Sequence, residues 1–188
     1  NNAGVGYRAL YSNTSGASNN AQGVNALYSN TTGSYNTGVG QAALRTNTTG
    51  NYNTAVGQAA LFNATTASNN TAMGAQSLFA NTTGRENSSV GFQSLYNNTT
   101  GSFNNAQGAY ALNKNTTGQK NTAVGQAAMR ANTTGNQNVA IGQNTMRASN
   151  SSFNTGVGAE SLYNATSGSK NTTLGYRTLY TNRTGSLN

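Results

Sequence analysis

The chain has 188 residues, 34% hydrophobic and 6% charged, with a formal net charge of +8. It holds no Cys, His or Pro, and its only acidic residues are Glu86 and Glu160. Disulfides, thiolate metal sites and the usual bases of serine or cysteine nucleophiles are therefore excluded, and two carboxylates so far apart make no acid–base pair; a non-enzyme with no metal and no cofactor is expected.

Few large apolar residues ordinarily argue for disorder, but disordered chains are rich in Pro, Glu and Lys, whereas here polar residues recur at fixed spacing. The basic residues are Arg8, Arg45, Arg85, Lys114, Lys120, Arg130, Arg147, Lys170, Arg177 and Arg183, dispersed without a run. That pattern reads as solvated surface charge and not as a nucleic-acid track. No apolar run is long enough to cross a membrane.

The organising feature is a five-residue phrase ending in Gly: NTGVG at 36–40 and 154–158, NTAVG at 53–57 and 121–125, NVAIG at 138–142, NTTLG at 171–175. Its Gly falls at Gly6, Gly23, Gly40, Gly57, Gly74, Gly91, Gly108, Gly125, Gly142, Gly158 and Gly175. Every interval is 17 residues except 142 to 158, which is 16. Eleven repeats fill residues 1–188 as one array with no linker and no visible cap, as expected of a segment of a longer fibre.

With that Gly as position 1, the consensus is G-Q-A-A-L-Y-x-N-T-T-G-S-x-N-T-A-V. A helix pair needs about 30 residues per repeat, and recurrent Gly weakens helices by roughly 1 kcal/mol each. Collagen fails for want of Pro and of a three-residue Gly period. One parallel β-solenoid coil per repeat remains: all-β, eleven coils, ~4.8 Å apart, a rod on the order of 50 Å long. In each coil positions 15–17 predict a strand, starting near residue 3 and recurring down the chain. Positions 15 and 17 are expected to point inward, most plainly Val139 and Ile141. Leu at position 5, replaced by Met129 and Met146, is the second inward anchor, and small position 4 eases the bend. Positions 8–11, NTTG at 47–50, 81–84, 98–101, 115–118 and 132–135, predict a turn whose Gly takes positive φ. The one-residue deletion falls within 147–153.

Asn occupies position 14 in every coil: Asn2, Asn19, Asn36, Asn53, Asn70, Asn87, Asn104, Asn121, Asn138, Asn154 and Asn171. This column is expected to form an amide ladder along the rod. So thin a core, two large apolar side chains per coil, argues for a homo-oligomer, most naturally a parallel trimer, or a filament.

The phrases NVAIG, NTAVG and NTGVG resemble the repeat signature of trimeric autotransporter adhesin heads. NTAVGQAALRANTTG, in near-copies at 121–135, is similar to repeats of phage tail fibres and bacterial surface fibres. The resemblance implies a left-handed parallel β-roll, trimerisation, and a place on the surface of a cell or virion. The period here is longer than in the adhesin heads, and Thr usually stands where they put the first Val.

Three features are candidates for function. Position 6 is aromatic at Tyr11, Tyr28, Phe62, Phe79, Tyr96, Tyr163 and Tyr180, interrupted by Arg45, Asn113, Arg130 and Arg147. It reads as a packing ladder or subunit seam, or else as an exposed strip that binds glycans or a host surface by stacking and cation–π contacts. Asn-x-Ser/Thr sequons recur at Asn13, Asn30, Asn47, Asn81, Asn98, Asn115, Asn132 and Asn182, and off the column at Asn63, Asn150 and Asn164. Good turn chemistry accounts for them, with N-glycosylation the sharper alternative. Stacked Thr at positions 9 and 10 (Thr31/Thr32, Thr48/Thr49) would make a regular face of the kind an ice-binding solenoid uses, although Thr65/Thr66 and Asn150/Ser151 read as out of register. The sequence as a whole points to a structural extracellular fibre, a stalk or filament segment with a capacity for adhesion. A phage tail-fibre shaft and an ice-binding solenoid are the alternatives.

Overall fold

The computed structural model describes residues 1–188 as one β-solenoid without a helix. Eleven three-residue strands, β1 (Ala3–Val5), β2 (Asn20–Gln22), β3 (Thr37–Val39), β4 (Thr54–Val56), β5 (Thr71–Met73), β6 (Ser88–Val90), β7 (Asn105–Gln107), β8 (Thr122–Val124), β9 (Val139–Ile141), β10 (Thr155–Val157) and β11 (Thr172–Leu174), form one parallel sheet in sequential order. Each strand pairs with its equivalent one coil on, as Thr37 with Thr54 and Val39 with Val56.

The strands face the opposite way to the expectation. Position 16 is buried, at Ala21, Ala55, Ala72, Ala106, Ala123 and Ala140, while positions 15 and 17 lie on the outer face. The pair Val139 and Ile141 therefore points outward, with Ile141 41% exposed. The cause is lack of room: a Cβ placed on Gly38 would already sit 3.3 Å from the carbonyl oxygen of Ala43 and 3.5 Å from Leu27. Only Gly, Ala, Ser or Thr fits between strand and opposite wall. The core is a single column of Leu or Met at position 5, from Leu27 to Leu162, flanked by the small residues of positions 4 and 16. Each such side chain contributes about 1.5–3 kcal/mol on burial, once per coil and not twice.

Where position 16 departs from Gly or Ala, position 4 changes with it. Ser89 meets Ser77 (2.8 Å) and Ser94, so each buried hydroxyl has a partner. Thr173 meets Ser161, which in turn meets Thr178 at 3.0 Å. Gly156 makes space for Thr145, whose methyl would stand 3.0 Å from an added Cβ.

Most order lies outside the strands: of 127 backbone hydrogen bonds, 20 belong to the sheet, and the rest chiefly join equivalent turns of successive coils. This requires residues at positions 3, 5 and 13 to adopt φ near +50 to +60°, including the buried Leu44 (+51°) and Leu112 (+49°). Each costs on the order of 1 kcal/mol, offset where its N–H reaches a neighbouring coil, as Leu44 reaches the Ala60 carbonyl at 3.0 Å. At position 1, Gly is needed twice over: φ is +130° at Gly125, and a Cβ there would lie 2.5 Å from the Gly142 oxygen. The turn Gly of position 11 does not have positive φ, contrary to the sequence reading; it is small because a Cβ on Gly101 would meet Asn98 Oδ1 at 2.3 Å and the Gly118 oxygen at 2.5 Å.

Thr65 and Thr66, expected out of register, are in register: Thr48 donates to the Thr65 carbonyl at 3.0 Å and Thr65 to that of Thr82 at 3.2 Å. The deletion lies between Asn150 and Ser151. Ser151 stands at the Gly position, accepting from Asn138 Nδ2 at 2.8 Å as Gly135 accepts from Asn121. The accepting role of the position-9 carbonyl passes to the side chain of Asn150, whose Oδ1 accepts from Thr133 N, Thr133 Oγ1 and Thr134 N at 2.8–2.9 Å.

Candidate interaction surfaces

The position-14 Asn residues form a continuous column in the interior. The Oδ1 of each accepts the backbone N–H of its successor, as Asn36 from Asn53 (3.0 Å) and Asn121 from Asn138 (3.0 Å), through to Asn171 and Asn188. Each Nδ2 donates to the position-11 carbonyl of the next coil, as Asn104 to Gly118 at 2.9 Å. Amide-to-amide contacts are the weaker element, at 3.1–3.2 Å through most of the column. From Asn19 to Asn171 these side chains are buried, tie one coil to the next and offer nothing to solvent.

A second Asn column, which the sequence reading had as turn residues or glycan acceptors, stands at position 8. Asn30, Asn47, Asn81, Asn98, Asn115 and Asn132 are fully buried. Each Nδ2 donates to the Gly carbonyl three residues on (2.9–3.1 Å) and, where the previous coil also has Asn, to its Oδ1, as Asn115 to Asn98 at 2.7 Å. The nitrogen that would carry a sugar is thus enclosed and already bonded. Glycosylation at these six positions is incompatible with the folded coil. Asn13 and Asn182, in the end coils, and Asn63 and Asn164 are half-buried, and Asn150 is exposed.

The position-6 side chains stack along the rod. Tyr11–Tyr28, Phe62–Phe79, Phe79–Tyr96 and Tyr163–Tyr180 are parallel, with centroids 5.0–5.3 Å apart. Arg45 bridges Tyr28 and Phe62, its guanidinium carbon 5.8 and 5.4 Å from their centroids, so the stack passes through a cation. Asn113 breaks it, turning its amide to the Gln93 carbonyl at 2.9 Å. A shorter stack, Tyr35 on Tyr52 at 4.9 Å, stands more exposed at position 13 and was not picked out in sequence.

Beyond Asn113 the basic residues come together. Lys114, Arg130 and Arg147 line a cleft of about 240 Å³ floored by Ala131 and Ala148. Sixteen and seventeen residues apart, they look dispersed in sequence, but in a solenoid of this period such residues are neighbours. The missed signal was charge spacing within one residue of the repeat length. Elsewhere, Arg177 is bound to Glu160 at 2.6 Å, and this hydrogen bond, then the carboxylate charge, holds the guanidinium above its ordinary pKa.

The outer face of the sheet presents two columns: mostly Thr at position 15 and Val, Met, Ile or Leu at position 17, with Asn20/Gln22 and Asn105/Gln107 interrupting. The hydroxyls of Thr37, Thr54, Thr71, Thr122 and Thr155 bond to no protein group. By contrast the position-9 hydroxyls, first candidates for a Thr face, are spent on the carbonyl of the next coil at 2.9–3.2 Å.

Fold and ladders together define a β-solenoid repeat protein, its register fixed by two internal Asn columns. Compared with protein families, with curated proteins and with solved structures, the chain returns no match.

Proposed function

We propose that this solenoid is a length-setting segment of an extracellular fibre, a stalk or filament that projects from a cell or virion. One observation carries the reading: an unbroken eleven-strand parallel sheet in which every coil is bonded to the next through the same Asn column. Such an array invests its order in axial length, and each further repeat adds ~4.8 Å. A chain with no His, Cys or Asp fits a role without catalysis, cofactor or metal. The resemblance to adhesin-head and tail-fibre repeats supports the surface location, and the tail-fibre shaft is the viral form of the same proposal.

Self-association, as trimer or filament, is the partner relation this reading needs. The seam we assign to it is the outer sheet face, where the position-17 column leaves Val90 39% and Met73 45% exposed although its neighbours stack above and below. Sedimentation and electron microscopy at tens of micromolar protein test the proposal. Trimers or rods joined into fibres are expected, and a strictly monomeric species would sink it.

A second reading rests on the same face. Free Thr hydroxyls and aliphatic side chains repeat there at ~4.8 Å along the rod by ~6.6 Å across each strand. That regularity favours an ice-binding plane on positions 15 and 17 over the turn Thr residues. Thermal hysteresis at micromolar protein, lost on Thr71→Lys and Thr122→Lys, is its expected signature; its absence ends this reading.

A further inference from the structure

We propose that the cleft between Lys114, Arg130 and Arg147 is a binding site for the sulfate groups of a sulfated polysaccharide. Lys114, Arg130 and Arg147 stand on successive coils, whose backbones are ~4.8 Å apart along the rod, and all three line one recess. No carboxylate lines it, and the molecule's one ion pair, Arg177–Glu160, lies elsewhere. Like charges so placed repel one another, and an anion relieves that repulsion. A second observation points the same way. The Nε of Arg130 is shut off from solvent and meets no acceptor, so a charged donor stands unpaired beside the recess.

The surroundings hold the guanidinium groups ready. Arg130 lies over the Tyr110 ring, 5.3 Å from its centroid, and Arg147 over Tyr163, to whose hydroxyl its Nη1 also donates. Held against rings, the two planar forks lose less side-chain freedom on meeting an oxyanion than free Lys or Arg would. Ala131 and Ala148 keep the floor low, and Lys114 stands exposed at the rim. The chemistry recognised is a tetrahedral oxyanion. A polysaccharide is favoured over a nucleic acid because the basic recess spans only three successive coils: Arg45, in the same column, stands five coils from Arg130, and the remaining basic residues occupy other columns. A nucleic-acid backbone needs a longer track of phosphate contacts.

The test is calorimetric titration of the whole chain with a sulfated heparin octasaccharide at 50 mM NaCl, with inorganic sulfate, inorganic phosphate and a DNA 10-mer as parallel ligands. The octasaccharide is expected to bind. The triple variant Lys114→Gln, Arg130→Gln, Arg147→Gln should weaken it at least tenfold. A control with equal charge loss on other columns, Arg8→Gln, Arg85→Gln, Lys170→Gln, should stay within twofold. In the unmodified protein the Nε–H resonances of Arg130 and Arg147 should shift on titration and those of Arg8 and Arg85 should not, a readout that stands even if the triple variant misfolds. No binding, equal weakening in both variants, or unmoved Arg130 and Arg147 resonances would overturn the site. Inorganic sulfate or phosphate binding as tightly as the octasaccharide, or DNA binding more tightly, would overturn the glycan assignment. The measurement is made on the isolated rod, so its outcome does not depend on assembly into a fibre.

Discussion

Replacing Asn87 by Ala removes one rung from the middle of the interior Asn column, and the loss can be itemised. Asn87 is 2% exposed. Its Oδ1 accepts from the Asn104 backbone N–H at 3.0 Å and from Asn104 Nδ2 at 3.2 Å, while its Nδ2 donates to the Gly101 carbonyl at 2.9 Å and to Asn70 Oδ1 at 3.1 Å. The Gly101 oxygen keeps a second donor, Asn98 Nδ2 at 2.9 Å, but the Asn104 N–H keeps none. A buried N–H left unpaired costs ~1–3 kcal/mol, and the other lost bonds about 1 kcal/mol more, so N87A should destabilise by ~2–4 kcal/mol. At about 2–4 °C per kcal/mol in a chain of this size, Tm should fall by roughly 5–15 °C. The control is Thr32→Ala, exposed and without a side-chain bond, expected within ~0.5 kcal/mol. Urea unfolding gives the magnitudes, and hydrogen exchange locates the loss, which should centre on the Asn104 amide because coils interact only with their neighbours. If N87A costs no more than T32A, the column does not hold the coils together.

Three further outcomes are expected. Ala123→Val, overfilling the closed side of the sheet, should cost ~1–3 kcal/mol, whereas Val124→Thr on the outer face should change urea stability by less than about 0.5 kcal/mol. Gly125→Ala should be a harsh single-methyl change, since it combines a φ of +130° with a Cβ driven within 2.5 Å of the next coil's backbone, and circular dichroism should show a lowered melting point with exchange protection lost around β8 and β9. In a host that N-glycosylates secreted chains, glycopeptide mapping of correctly folded material should find no sugar on Asn30, Asn47, Asn81, Asn98, Asn115 or Asn132, with occupancy confined to the exposed sequons at Asn69 and Asn150 and the half-buried ones.

The period, the one-coil repeat, the Leu column and the position-14 Asn column were legible in the sequence because each repeats eleven times under a constraint that composition alone would not impose. The direction of the strand was not. Bulk at position 17 suggested a core residue, but Gln22 and Gln107 occupy that position, and a buried Gln in so narrow a core would have no partner. Position 16 carried the better signal, since nothing larger than Thr stands there. The second Asn column was hidden by its own turn chemistry: Asn-Thr-Thr-Gly reads equally as a turn, a sequon or a ladder, and only stacking decides. The basic cleft was invisible to a search for runs of charge, because Arg130 and Arg147 are adjacent only once the chain is wound.

Length is the property that most directly tests a rod built one coil per repeat. Small-angle scattering from chains with one, two and three extra copies of residues 108–124 inserted before Gly125 should show the long dimension growing by ~4.8 Å per copy with an unchanged cross-section. A cross-section that widens, or a length that does not follow repeat number, would contradict it.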